Sequence, residues 1–102
     1  MSGLDNTSFT VRTTAATTDT LLDTDSVVVY TAAVAKTCNL PSVAVVQPGR
    51  RYVVINTAAG AITVDPAGAE TINGAATLAV TASTGRADFV STGTAWLTVT
   101  AS

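Results

Sequence analysis

The sequence predicts an all-β fold, a small antiparallel β-barrel or sandwich of short strands, preceded by an extended N-terminal arm. Three observations lead there. Turn-forming residues recur roughly every 8 to 12 residues, the rhythm of a sandwich or barrel. The segments between them are rich in Val, Ile and Thr, and many alternate in polarity. No stretch shows helical periodicity over a useful length.

Residues 1–22 read as the arm and 23–102 as the β domain. Met1 to Thr7 is small and polar. Ser8-Phe9-Thr10-Val11-Arg12 alternates, so Phe9 and Val11 share one side of a short strand. Thr13 to Thr20 is a Thr/Ala tract, either a connector or an arm lying on a partner, and composition does not choose between them. Asp23-Thr24-Asp25-Ser26 forms a turn. Val27-Val28-Val29-Tyr30-Thr31 is β-branched but for one aromatic and reads as a buried strand. Lys36 to Leu40 alternates and points Cys38 and Leu40 inward, and Pro41 ends it. Ser42 to Gln47, between two prolines, reads as a turn.

The ladder from Gly49 to Val99 organises the rest. Arg51 to Asn56 is its longest central strand. Ala58-Ala59-Gly60 turns the chain, and Ala61 to Val64 returns as the hairpin partner. Glu70-Thr71-Ile72-Asn73-Gly74 reads as a clipped strand ending in a type I′ turn, because both central residues of that turn need positive φ. Strands follow at Thr77 to Thr81, Ala87 to Ser91 and Ala95 to Val99, broken at Ser83-Thr84-Gly85 and Thr92-Gly93-Thr94.

The totals narrow the function. A chain of 102 residues suits one domain with a modest core. It is 47% hydrophobic but only 5% aromatic, so its apolar surface is mostly Ala and Val, and an oligomer would help to complete the core. Charged residues make up 12% and the net charge is −2, which argues against a nucleic-acid partner. Histidine, the commonest general base, is absent. No long apolar run suggests a membrane span, and the N-terminus lacks the features of a secretory signal, so synthesis in the cytoplasm is expected.

Candidate chemistry is sparse. Asp19, Asp23 and Asp25 invite calcium, but the closing Glu of a calcium loop is missing. Asp65 and Glu70 form a carboxylate pair across one turn, with nothing apolar nearby to raise one pKa. Cys38 has no activating base and reads as a small core residue. Asn6-Thr7-Ser8 matches a glycosylation acceptor, a pattern common by chance. Tyr52 and Trp96 lie on expected strands, where core or subunit contacts outweigh sugar stacking. The threonines show no strict repeat of the kind an ice-binding face needs. No catalytic, cofactor or metal residues are assigned.

One set of segments resembles a known family. Leu40-Pro41 comes first, then Pro48-Gly49-Arg50-Arg51-Tyr52-Val53-Val54-Ile55-Asn56. Ile62 to Gly68, Glu70 to Gly74 and Gly93-Thr94-Ala95-Trp96 follow. In order and spacing these resemble a β-module of tailed-phage virion proteins, found in tail fibres, head fibres and capsid decoration proteins. The resemblance covers about Asp23 to Val99. Thr92, Ala95 and Leu97 stand where Asp, Asn and Tyr are usual.

The resemblance implies a compact β-barrel that assembles as a homotrimer, with no cofactor and no chemistry. A single module starting at Met1 fits a decoration or head-fibre protein on the outer capsid better than a tail fibre with its long shaft. The expected partners are further copies of the chain and the major capsid protein. Leu4, Phe9, Val11 and Arg12 are expected in the docking arm. Tyr52, Val54, Ile72, Leu78, Phe89 and Trp96 are expected in the core or the trimer contact. The competing reading is a tail-fibre module that binds a receptor or carbohydrate, with a glycan stacked on Trp96 or Tyr52.

Overall fold

Val27 to Tyr30 and Arg51 to Asn56 are rich in β-branched and aromatic residues, as a pleated sheet favours, and they lie side by side in one sheet. The computed structural model describes residues 10–82 and 85–101. Among these residues the chain is all β, with no helix. In order the strands are β1 (Val11–Thr14), β2 (Thr18–Thr20), β3 (Val27–Tyr30), β4 (Lys36–Asn39), β5 (Arg51–Asn56), β6 (Ile62–Asp65), β7 (Leu78–Val80), β8 (Arg86–Ser91) and β9 (Trp96–Ala101).

They form two open sheets, not a closed barrel. One has five strands in the order β1-β3-β5-β8-β9, the other four in the order β2-β4-β6-β7. The inner faces share one core, so the arrangement is sandwich-like. The expected antiparallel pairing holds only for the last third. From β1 to β6 the chain alternates between the sheets, and each strand lies parallel to the one two places earlier. These six strands make three stacked coils. Only then does the chain reverse, adding β7 to β6, β8 to β5 and β9 to β8 in antiparallel register.

The expected hairpin of β5 with residues 61–64 is therefore corrected. The turn at 57–61 carries the chain across to the other sheet. β6 pairs with β4, while β5 pairs with β3 and β8. Gly60 belongs to that crossing. It has φ +87°, and a Cβ there would overlap the Val34 carbonyl of the coil below. The Lys36 ammonium ties the same two turns together. It is buried, and it donates to the carbonyls of Ala32, Ala59 and Gly60 at 2.6, 3.1 and 3.0 Å. Buried Asn56 adds bonds from its amide to the Gly60 and Thr81 carbonyls.

The described part of the expected arm is built into the sheets. β1 and β2 are the first coil, in register with β3 and β4. Leu4 and Phe9 lie outside the described residues.

The interior follows the registers. Val28, Val54 and Ala87 form one inner row, and Cys38, Val64 and Leu78 another. Tyr52, Phe89, Ile72 and Trp96 are buried in the same core. The Tyr52 and Trp96 rings meet at 5.8 Å between centroids, tilted by 51°. Such tilted aromatic pairs add stabilisation beyond their buried area.

Candidate interaction surfaces

The residues that carry the family resemblance act first as scaffold. Asn73 (φ +53°) and Gly74 (φ +83°) make the expected two-residue turn, closed by paired bonds between Ile72 and Ala75 at 2.8 and 2.9 Å. That turn docks on β9. The Asn73 amide donates to Thr98 Oγ1 at 2.8 Å, and its Oδ1 accepts the Thr98 N–H at 3.0 Å. Ile72 also bridges to Trp96. Glu70 accepts the Ser42 hydroxyl at 2.6 Å and the Val43 N–H at 3.1 Å, holding the turn after Pro41. The Arg50 guanidinium lies 4.1 Å from the Tyr52 ring centre and donates to the carbonyls of Asp23 and Asp25.

The expected contact residues sort cleanly. Tyr52, Val54, Ile72, Phe89 and Trp96 are buried within a single chain, and Leu78 packs against them partly buried. They are core residues. Trp96 and Tyr52 each have zero exposure, so neither ring is available to stack on a sugar. Val11 is exposed on the edge strand β1. Arg12 points inward and is not free to dock. Its guanidinium binds Asp19 and Asp25, with its shortest contact to each at 2.8 Å.

That cluster disposes of the calcium reading, since Arg12 fills the space a cation would take. No group of three metal-ligating side chains occurs among the described residues. The hydrogen bonds that Arg12 donates to Asp19, then to Asp25, raise its pKa further above the usual value. Burial works to raise the Asp25 pKa, but the bonds from Arg12 and the Leu22 N–H prevail and hold it below 3.8. Burial, then Cys38 and Asp19, push the Tyr30 phenol up, and its hydroxyl donates to Asp19 at 3.1 Å. Burial pushes the Cys38 thiol up to about 12, so it stays protonated and unreactive at neutral pH.

Two surface features remain. The first is a cleft of about 390 Å³ lined by Leu21, Leu22, Asp23, Pro41, Val45, Val46 and Tyr52. The second is the outer face of the five-stranded sheet. Val11, Val27 and Val53 lie in register across it, as do Val29 with Ile55 and Val90 with Leu97. The matching face of the four-stranded sheet instead carries Thr18, Thr37 and Thr63 in one row. Sequence reasoning did not single out the valine face. The signal was the run Val27-Val28-Val29, which is apolar at odd and even positions alike. A strand of that kind is fit for burial on both faces.

The valine face has one charged group at its centre. Asp88 lies opposite Val53 and is nine-tenths buried. Its Oδ2 is 3.4 Å from Arg86 and 4.0 Å from Arg51, both half-exposed. Its Oδ1 has no hydrogen-bond partner. Compared with known proteins, the chain matches no family model and no curated relative.

Proposed function

We propose that the protein is a non-enzymatic structural virion protein of a tailed phage. In this reading it is a capsid decoration protein, cementing or head-fibre in type, made in the host cytoplasm and bound as a trimer to the outer shell. The observation that carries the reading is the junction of Tyr52, Ile72, Asn73 and Trp96. Residues that resemble the phage module in order and spacing also pack together as one structural unit. That packing is what a shared fold motif would require, and it supports the reading.

The docking role falls to the segment before β1, with Leu4 and Phe9 as its apolar anchors. Arg12 is committed to Asp19 and Asp25, and the coil behind it is part of both sheets. Three linked segments would bind a shell as one multivalent ligand, which multiplies a weak single contact. Deleting residues 2–9 tests this without cutting into the coils. The truncated protein should keep its melting temperature and lose co-sedimentation with shells. Undiminished shell binding would refute the docking role.

A further inference from the structure

The cleft beside Tyr52 is apolar and uncovered. Val45 and Leu22 stand in it 73% and 52% exposed, and Val45 is the most exposed large apolar side chain among the described residues. Leu21 and Tyr52 beside them are buried, and Asp23 is the one charged residue in the lining. Exposed apolar side chains scattered singly are ordinary, but two that share one concave site mark a place to be covered. We infer that the cover is the chain's own N-terminal segment, residues 1–9, with Leu4 and Phe9 as its apolar contacts.

The stacking of the coils identifies this occupant. Two connections run from the four-stranded sheet to the five-stranded one, residues 21–26 into β3 and 40–50 into β5, and between them they line the cleft. Residues 1–9 lead into β1, which lies parallel to β3, so they arrive at the same end of the strands. The handover is fixed at Thr10. Its carbonyl accepts the Val27 N–H at 2.9 Å, as the Ser26 carbonyl accepts the Val53 N–H one strand further on. Its hydroxyl donates to the Thr24 carbonyl at 2.8 Å, one residue from Asp23 of the lining. Thr10 and Tyr52 thus precede matching positions two strands apart, roughly 10 Å at the usual strand spacing. Nine residues can span up to roughly 30 Å, so the cleft is well within reach. A segment tethered so close meets the cleft at an effective concentration of about millimolar, ahead of any free competitor. The seat lies outside the core, so the fold does not depend on its being filled. That a shell later draws the segment out rests on the function proposed above; the seat itself does not.

Nuclear magnetic resonance of the purified full chain, without shells, tests the inference. Nuclear Overhauser contacts are expected from Leu4 and Phe9 to the methyls of Leu22, Val45 and Val46. Leu4→Ser with Phe9→Ser keeps the length of the segment and should abolish them. The Val45 and Val46 methyl shifts of that variant should match those of the chain lacking residues 2–9 and differ from wild type. Val45→Asp, at an exposed position, should release the segment from the other side. The buried emission of Trp96 reports folding in each variant. Absence of the contacts in the wild type, or Val45 and Val46 shifts that ignore the loss of residues 2–9, overturns the inference. Contacts that form only between differently labelled copies in a mixed sample give the cleft to a neighbour's segment and also overturn it. A seat that is found, with shell binding undiminished when residues 2–9 are deleted, upholds the inference and refutes the docking role.

Discussion

The two sheets are built by the same three coils, yet they meet the outside differently. Along the five-stranded sheet the outer row reads Val11, Val27, Val53; along the four-stranded sheet it reads Thr18, Thr37, Thr63. Valine and threonine have nearly the same shape and similar β-propensity. The fold therefore does not choose between them. Water does: a hydroxyl suits a solvated face, and a methyl in its place suits a covered one. The difference separates what holds the sheets together from what each sheet is for.

The strongest way to break this comparison is to cut into what the sheets share. Trp96→Ala should cost about 3–5 kcal/mol, measured by denaturant unfolding, because it empties the largest buried site. Thr63→Ala, on the exposed threonine row, should stay within about 0.5 kcal/mol. A similar cost for both would mean that the threonine row is not simply solvated.

A smaller effect tests an asymmetry at the sheet edges. The outer edge of β9 is clamped by the Asn73-Gly74 turn through Thr98. Gly74→Val should cost about 1–2 kcal/mol, because a β-branched side chain resists φ +83°, even though the space beside it is open. An unchanged melting temperature would show that the turn relaxes freely.

The smallest effect concerns acid. Asp25 is more acidic folded than unfolded, so unfolding takes up a proton as the pH drops. Its contribution is present above the ordinary carboxylate value near 3.8 and is lost as the pH falls through the lower folded value. Asp25→Asn should flatten the loss of stability below pH 4. An identical acid profile would mean that the carboxylate is not what the first coil depends on.

Much of the fold was legible. The strands at 27–30, 36–39, 51–56 and 86–91, the Asn73-Gly74 turn and the buried aromatics all follow from alternation, β-branching and turn chemistry. What the residues did not reveal was which sheet each strand joins. Ala58-Ala59-Gly60 says that the chain bends; an arch to the opposite sheet and a hairpin within one sheet use the same small residues. The polar contacts were hidden for another reason. Arg12 meets Asp25 across 13 residues, and Glu70 meets Ser42 across 28. The carbonyls that hold Lys36 come from two turns brought together only by stacking. The valine face was half visible, since Val27-Val28-Val29 announced two apolar sides without saying what lies against the outer one.

The Arg12 cluster has a consequence for growth. A stack of parallel coils has an open mouth, and an incoming molecule could extend it strand upon strand into a filament. Here the first coil presents Arg12 and Asp19 to the interior where later coils present valine and cysteine. Any newcomer at that end would have to bury an ion-paired triad in place of hydrocarbon, a poor exchange. Lengthwise polymerisation is thus discouraged by the molecule's own first turn.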